Sequence, residues 1–258
     1  MTRLKQDIAS GLEISYLDEG HGSPLLFIHG FTGTATADHG MLMDEFRATH
    51  RIIAPDLRGY GASRPPNRDF PPDFYRRDAD DMAAFLERLQ CGPVVVLGFS
   101  DGAEVALLLA ATRPDLIRGV VAWGVCGVIS PEELASVETW LPVSAWGPDR
   151  HTWMTQIIER HGSEQFEPMI SGWVNAARAI RARGGDISYN LAGQIECPVF
   201  ILNGDREIGN TPQDTQRLAE RIPNCRLEFI ADCGHAIQRD QPHVLVARIQ
   251  SFLERNAA

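Results

Sequence analysis

Residues 93–111 have the sequence PVVVLGFSDGAEVALLLAA, and this stretch decides the fold. Its first part is a run of β-branched and apolar residues, which is typical of a strand buried on both faces of a parallel sheet. Its last part is rich in alanine and leucine and predicts a helix. Between them, Gly98-Phe99-Ser100-Asp101-Gly102 matches G-x-S-x-G, a sharp strand-to-helix turn that lifts the serine hydroxyl clear of the sheet. Ser100 is therefore predicted to be a nucleophile, against the alternative that it only caps the helix.

Apolar runs that predict strands recur along the chain on both sides of this stretch. They are LEISYLD (12–18), LLFIH (25–29), RIIAP (51–55), GVVAW (119–123), VFILN (199–203) and RLEFI (226–230). Helical patterns cover residues 75–90, 101–113, 212–222 and 241–255. This alternation predicts an α/β fold in which helices cover both faces of a parallel sheet.

Residues 128–190 break the alternation, because no convincing strand appears there. Ser130-Pro131-Glu132-Glu133 has the pattern of a capping box with proline at the first helical position, which predicts a helix start. Two more helices are predicted near 149–161 and 164–182. The region holds four of the five tryptophans, Trp140, Trp146, Trp153 and Trp173. These rings either pack the helices onto the rest of the molecule or line a pocket, and the pattern fits both.

A serine hydroxyl needs a base to attack an acyl carbon at neutral pH. His235 follows the strand predicted at 226–230 and precedes the last helix, which is where the base is expected when the nucleophile comes first in the chain. His243 lies at the start of that helix and is expected to be an exposed helix residue.

The third group should be an acid on the loop after the preceding strand, since it orients the imidazole and stabilises its charged form. That loop, residues 203–209, carries both Asp205 and Glu207. Either carboxylate can serve, so the residues alone leave this choice open.

Two backbone N–H groups are candidates for binding the oxyanion of such a reaction. The loop His29-Gly30-Phe31 follows a predicted strand, and the N–H of Phe31 can join that of Asp101 at the start of the helix. His29 itself is expected to brace the loop through hydrogen bonds. The segment DLRGYGAS at 56–63 is expected to be a braced turn rather than a phosphate site.

Composition excludes several classes of protein. The chain has 258 residues, of which 44% are apolar and 22% charged, and these fractions are ordinary for a globular domain. Its net charge of −10 makes it a poor candidate for nucleic-acid binding. No run approaches the roughly 18 apolar residues that span a membrane, and the first residues lack the apolar core of a signal peptide. A cytoplasmic location is therefore expected, with no nucleic-acid or membrane partner.

No cofactor or metal is predicted. The five cysteines are scattered without a CxxC pair and are expected to be reduced. The eight histidines include no HExxH motif. The expected partner is a small-molecule ester substrate, and the sequence is compatible with a monomer while leaving the oligomeric state open.

Four short motifs together resemble the α/β-hydrolase superfamily over essentially the whole chain. They are HGF (29–31), DLRGYGAS (56–63), GFSDG (98–102) and GH (234–235). The resemblance implies an eight-stranded, mostly parallel sheet with a helical cap inserted after the sixth strand. The core would be residues 1–127 and 191–258, and the cap 128–190. It also implies a serine esterase that uses Ser100 and His235 with oxyanion N–H groups from Phe31 and Asp101.

The resemblance also bears on the acid. The usual pattern on the acid loop is G-x-x-D, and counted from Gly204 that slot holds Glu207 instead of aspartate. This favours Glu207, one methylene longer, with Asp205 as the alternative.

Residues 56–81 and the SDG after the nucleophile are similar to the valacyclovir hydrolase-like (biphenyl hydrolase-like) family, whose substrates are α-amino acid esters. The resemblance suggests that Asp101, together with Asp38, attracts an α-ammonium, whereas the plainer alternative is that Asp101 only favours the helix N-terminus. Trp140, Trp146 and Trp173 are the expected aromatic substrate contacts.

Two alternative functions remain at the level of the sequence. The same three groups can cleave a lactone, a carbon–carbon bond or an amide at a peptide N-terminus. A small-molecule receptor on a hydrolase scaffold is the alternative from another class.

Overall fold

A computed structural model describes residues 3–9 and 11–256 of the chain, and one sheet of eight strands organises it. The strands are β1 (Arg3–Ala9), β2 (Leu12–Gly20), β3 (Pro24–Ile28), β4 (Arg51–Pro55), β5 (Val94–Phe99), β6 (Ile117–Trp123), β7 (Val199–Gly204) and β8 (Cys225–Ile230). Their order across the sheet is β1-β2-β4-β3-β5-β6-β7-β8. The pairs β1/β2 and β2/β4 are antiparallel and the others are parallel, so the predicted mostly parallel sheet is confirmed.

Helices cover both faces of the sheet. They are α1 (Ala35–Phe46), α2 (Phe74–Leu89), α3 (Asp101–Thr112), α4 (Pro131–Glu138), α5 (Pro148–His161), α6 (Ser163–Ala182), α7 (Pro212–Arg221), α8 (Ile237–Asp240) and α9 (Pro242–Arg255). Seven helical segments were expected from sequence patterns, and each has its counterpart here. His243, on α9, is exposed as expected.

Two cores lie on opposite faces of the sheet, and the strands supply both. Along β3, Leu26 and Ile28 belong to one core, whereas Leu25 and Phe27 belong to the other. Successive side chains of a strand point to opposite faces, so a strand covered on both sides must be apolar at every position. This is why the central strands are continuous apolar runs in the sequence.

Three elements, β1, α1 and the four-residue helix α8, lacked a sequence prediction. β1 is an edge strand in which Ile8 is the buried residue, so its sequence carries almost no apolar alternation. The buried residues of α1 do have helical spacing, but they include Ala35 and His39 alongside larger apolar side chains. A weakly hydrophobic face of this kind gives little periodic signal.

The turn at 56–63 is held by side-chain hydrogen bonds, as expected of a braced turn. The Asp56 carboxylate accepts hydrogen bonds from the backbone N–H of Ala35 and of Ala62, both at 2.9 Å. Arg58 pairs with Asp81 on α2 rather than with Asp56, at 2.6–2.7 Å. The segment therefore links β4 to α1 and α2 and leaves the neighbouring loop at residue 29 well supported.

Between β6 and β7 the chain forms helices α4, α5 and α6, which we call the helical insert (residues 128–190). Its two ends meet, because Val128 and Asp186 form an isolated antiparallel bridge. Glu104 ties both ends to helix α3: its carboxylate accepts from the Gly127 N–H at 2.8 Å and from the Ser188 hydroxyl at 2.5 Å. The position after the sixth strand is the one expected for an inserted cap.

Within the described residues, none of the helices combines the length and apolar character needed to cross a membrane.

Candidate active site

Ser100 lies at the sharp turn between β5 and α3. Its φ is 54° and its ψ is −121°, a left-handed backbone conformation that is strained for a residue with a side chain. The turn is tight enough that a Cβ at Gly98 would meet the Gly102 carbonyl oxygen at 2.5 Å. The predicted geometry of the G-x-S-x-G stretch is therefore present, with no side-chain capping bond from the serine to its helix.

The imidazole of His235 lies beside this serine. Its Nε2 is 2.9 Å from the Ser100 Oγ, and its Nδ1 is 2.5 Å from an Oε2 of Glu207. The ring also approaches the end of β6, where a Cβ at Gly124 would meet the His235 Cε1 at 2.9 Å. A nucleophile, a base and an orienting acid in hydrogen-bonding sequence is the arrangement that activates a serine hydroxyl.

Of the two acids on the loop, Glu207 reaches the imidazole. Its Oε1 accepts from the backbone N–H of Ile208 at 3.0 Å and of Gly209 at 3.2 Å. Burial opposes ionisation of this carboxyl, but the hydrogen bond and charge of His235 outweigh it and lower its pKa. Asp205 instead accepts from the Cys233 N–H at 3.3 Å and braces the loop before His235.

The loop at 29–31 closes over Ser100. Gly30 lies against Ser100, since a Cβ there would meet the Ser100 Cβ at 3.0 Å. In the part of the chain that the structure describes, the N–H of Phe31 has no hydrogen-bond acceptor. Asp101 follows Ser100 directly as the first residue of α3, where the helix leaves its N–H groups unsatisfied. Both groups are thus available near the serine oxygen.

His29 braces this loop, as the sequence suggested. It is fully buried, its Nδ1 is 2.9 Å from the Gly30 carbonyl oxygen, and its Nε2 accepts from the Leu57 N–H at 3.0 Å. The second bond joins the loop to the turn that begins at residue 56.

A cavity of about 470 Å³ opens above Ser100 and His235. The sheet side contributes these two residues together with Phe31, Phe99 and the acid loop 206–210. The helical insert contributes the opposite side, with three tryptophans and one face of α4. The volume suits a small ligand.

Three tryptophans line the cavity. Trp140 stacks on Phe31, with ring centroids 5.8 Å apart, and Trp153 meets Trp140 edge to face at 5.0 Å. Trp173 lies 5.4 Å from Phe31. Trp146 corrects the sequence expectation, because it stacks behind Trp153 at 4.9 Å and does not line this cavity.

The two aspartates expected to attract an ammonium do not face the cavity either. The Asp101 carboxylate is turned into the protein, where it accepts from the Tyr75 hydroxyl at 2.7 Å and the Trp173 indole N–H at 2.9 Å. Asp38 accepts from the Gly30 N–H at 2.9 Å and supports the loop from behind. Both carboxylates serve buried donors, so the expectation that they contact substrate is corrected.

Sequence reasoning missed several residues that line the cavity, among them Glu133 and Trp153. Trp153 was noted among the tryptophans of the insert but was not assigned to the site. Glu133 was assigned only to the capping box. Its spacing from Val137 and Trp140, four and seven residues, is the helical spacing that places side chains on one face, and this signal was available.

Among the residues that the structure describes, no three histidine, cysteine, aspartate or glutamate side chains group as a metal site would require. All five cysteines are free thiols.

Known proteins resemble this chain in sequence and in structure. A model of the alpha/beta hydrolase family matches residues 25–248. Serine hydrolase BPHL of Homo sapiens is 31% identical over 201 residues, covering 77% of this chain and 68% of that protein. 2-hydroxymuconate semialdehyde hydrolase of Pseudomonas sp. (strain CF600) is 28% identical over 284 residues, and the match covers 98% of this chain and 95% of that protein. A thermophilic esterase from Thermogutta terrifontis superposes with a TM-score of 0.77 at 23% identity, covering 100% of both chains.

Proposed function

Because this chain belongs to the alpha/beta hydrolase family and is similar to serine hydrolase BPHL, we propose that it is a serine hydrolase of small carboxylic esters. The resemblance to the biphenyl hydrolase-like enzymes inferred from residues 56–81 is confirmed at the level of the family. The chain is a hydrolase; the bond it cleaves and the residues that cleave it are the proposal.

The observation that carries the proposal is the pair of contacts made by one imidazole. His235 lies 2.9 Å from the Ser100 Oγ on one side and 2.5 Å from Glu207 on the other. The Glu207 side chain is 6% exposed, so its charge acts on the imidazole with little screening by water. This sequence of groups supports nucleophilic catalysis and has no evident structural purpose of its own.

In the first step, the Ser100 oxygen attacks the acyl carbon while His235 Nε2 takes its proton. Glu207 holds the Nδ1–H, which places the lone pair of Nε2 toward the serine and stabilises the imidazolium. The N–H groups of Phe31 and Asp101 bind the developing oxyanion, and the N-terminal end of α3 adds its dipole. His235 then gives its proton to the leaving alcohol, which departs and leaves an acyl-enzyme.

In the second step, a water molecule attacks the acyl carbon of the ester formed with Ser100. His235 takes a proton from this water, and the acid is released when the serine oxygen recovers a proton from the imidazolium. The whole cycle needs no group beyond the chain and water.

The helical insert at 128–190 is proposed to be a cap that covers the reacting atoms. It supplies the aromatic side of the cavity, and Trp153 reaches across to the core by donating a hydrogen bond to the Thr32 hydroxyl at 3.0 Å. Covering the site excludes water and strengthens the electrostatic contacts within it.

The test is the turnover of p-nitrophenyl esters by wild type and Ser100→Ala. We expect a burst of nitrophenol equal to the enzyme concentration in wild type, and a loss of about 10⁴-fold or more in kcat for the variant. A phosphonate should label Ser100 covalently in wild type. Ser171→Ala, which removes a half-buried hydroxyl that donates to the Glu167 carbonyl oxygen within α6, is the matched control and should keep both properties.

Other outcomes identify the alternatives. Hydrolysis of lactones, diketones or peptide N-terminal amides in preference to esters, with the same dependence on Ser100, would keep the nucleophile and change the bond. Tight ligand binding with neither burst nor labelling would identify a receptor and overturn the proposal.

A further inference from the structure

Thr32, the residue after Phe31, has a strained backbone. Its φ is 58°, in the left-handed region that β-branched residues rarely adopt. It is the third residue of a turn that the Gly33 N–H closes by donating to the Gly30 carbonyl oxygen at 3.0 Å. A residue keeps a strained conformation only where its surroundings hold it there. The turn therefore depends on contacts from outside the loop.

This turn sets the direction of the Phe31 N–H. That N–H and the Gly30 carbonyl belong to one trans peptide unit, so they point in opposite directions. Two donors hold the carbonyl oxygen of the unit, namely the Gly33 N–H and, at 2.9 Å, the Nδ1–H of the buried His29. The Gly33 N–H reaches this oxygen only while Thr32 keeps its positive φ, because Thr32 is the residue that turns the chain back. The aim of the Phe31 N–H therefore depends on Thr32.

The contacts that hold Thr32 come from helix α5 of the helical insert. The His161 Nε2–H donates to the Thr32 carbonyl oxygen at 3.1 Å, and the Arg160 Nη1 donates to the same oxygen at 3.2 Å. Both donors lie in the last turn of α5, far from the loop in the sequence. Trp153 on the same helix binds the Thr32 hydroxyl, which is a contact to the side chain and not to the carbonyl group. The backbone of the turn is thus fixed chiefly by the first two residues.

The surroundings of His161 direct one proton at this carbonyl. The ring is buried, and its Nδ1 accepts from the Gly61 N–H at 3.0 Å. A neutral imidazole carries a single N–H, so the proton lies on Nε2, which faces Thr32. Burial lowers the pKa of His161 to about 4, and the ring therefore stays neutral near pH 7. The Tyr60 ring packs edge to face against it, with centroids 5.5 Å apart. Tautomer and orientation are both fixed.

Resting on the proposed function, in which the Phe31 N–H binds the oxyanion, we propose that His161 is a positioning residue of the reaction. Together with Arg160 it fixes the Thr32 carbonyl, and through the turn it keeps the Phe31 N–H directed at the oxyanion. His161 does not line the cavity, so its effect reaches the reaction through the loop and not through contact with substrate. The insert thereby supports a reacting group of the sheet side from behind, in addition to covering the cavity.

The experiment uses two substitutions that each keep one half of the imidazole. In His161→Gln the amide nitrogen takes the place of Nε2 and can still donate to Thr32. In His161→Asn the amide oxygen takes the place of Nδ1 and can still accept from Gly61, but the donor to Thr32 is lost. Oxyanion contacts form in the transition state, so we expect kcat of His161→Asn on p-nitrophenyl benzoate to fall about 10- to 100-fold, with KM within about threefold of wild type. His161→Gln should keep kcat within about threefold of wild type.

A thiono ester separates this effect from a general loss of structure. Sulfur accepts hydrogen bonds weakly, so the N–H groups stabilise the thiolate formed from p-nitrophenyl thionobenzoate much less than the oxyanion formed from the benzoate. We expect wild type to prefer the benzoate in kcat/KM by about tenfold or more, relative to the rates of the two esters with hydroxide, and this preference to fall about tenfold in His161→Asn. His151→Asn is the matched control, because it makes the same change at an exposed position of α5 and should keep the wild-type preference.

An unchanged preference in a folded His161→Asn enzyme, or equal losses of kcat in His161→Asn and His161→Gln, would overturn the inference. If His161→Asn does not fold, Arg160→Met removes the other donor to the same oxygen from a half-buried side chain. Its preference for the benzoate should fall by about threefold or more, and an unchanged value would overturn the inference equally. These results leave ester hydrolysis standing if turnover still depends on Ser100. Turnover of neither ester by wild type would count against the proposed function itself.

Discussion

The two sides of the cavity are built differently. On the sheet side, Ser100, His235 and Glu207 are joined by hydrogen bonds, and the acid is held further by backbone N–H groups. On the insert side, Trp140 and Glu133 face the same space with few polar partners. The polar groups on the sheet side have hydrogen-bond partners within the protein. Those on the insert side can still form contacts with a ligand.

The difference separates reaction from recognition. Groups that are satisfied and held by secondary structure keep one geometry, which the bond-making steps require. Side chains without polar partners gain their contacts from whatever enters the cavity. We therefore expect changes on the sheet side to lower kcat, and changes on the insert side to alter KM and the choice of ester.

After loss of Ser100 or His235, the largest effect on the sheet side is expected at Glu207. Replacing it by glutamine removes the charge that stabilises the imidazolium, so kcat should fall by about 10²- to 10⁴-fold with a smaller change in KM. Steady-state kinetics on a nitrophenyl ester measures both values. Asp205→Asn is the control and should stay within about threefold of wild type, since its carboxylate braces Cys233 and not the imidazole. The opposite pattern would assign the acid to Asp205.

On the insert side, Trp153→Leu should raise KM by about tenfold and leave kcat within about threefold of wild type. The variant removes an aromatic wall of the cavity and the hydrogen bond to Thr32, but touches none of the reacting groups. Trp146→Phe tests the corrected assignment, because Trp146 lies behind the wall and should change KM by less than about threefold. Equal effects of the two variants would contradict the assignment.

Glu104 hydrogen-bonds both ends of the helical insert, and we expect it to make the stability of the protein depend on pH. Burial raises the pKa of this carboxyl to about 7 from its usual 4.5. The folded state therefore holds the proton more tightly than the unfolded chain, and the free energy of unfolding falls as pH rises through this interval. Wild type should lose about 2 kcal/mol more than Glu104→Gln between pH 5 and pH 8.

Urea unfolding at the two pH values measures this difference. Glu132→Gln, which alters an exposed acid, should show the same loss as wild type. A parallel loss in Glu104→Gln would mean that other groups carry the pH dependence.

The smallest change in substrate choice is expected from Asp101→Asn. Its side chain joins Tyr75 of α2 to Trp173 of α6, so the variant should unfold at a temperature a few degrees lower. The ratio of kcat/KM for L-valine ethyl ester to that for the uncharged ethyl 3-methylbutanoate should change by less than about threefold. A tenfold fall in that ratio would show that Asp101 contacts an ammonium group of the substrate after all, and would weaken the contrast between the two sides.

Much of the sheet side could be predicted from the sequence because it depends on local patterns. Apolar patterns of strand length marked β2 to β8, and the glycines around Ser100 marked a turn whose geometry follows from sterics alone. The edge strand β1 lacked a signal, because a mostly exposed strand needs no apolar alternation.

The insert side was predicted less well, because helical patterns do not say which face meets which neighbour. Four tryptophans marked the region, yet the distinction between Trp153 on the cavity and Trp146 behind it depends on how α4 and α5 each pack against α6. The same holds for Glu133, where a capping motif predicted the helix start correctly but did not indicate that the side chain would line the cavity.

The sequence by itself determined the alternation of strands and helices, the strained serine turn and the histidine late in the chain. These features depend on residues close together in the chain, whose backbone preferences act locally. The tertiary structure decided that Glu207 and not Asp205 reaches the imidazole, and that Asp101 turns inward while Glu133 faces the cavity. The physical reason is that the direction of a charged side chain is set by the donors that folding brings to it from distant parts of the chain.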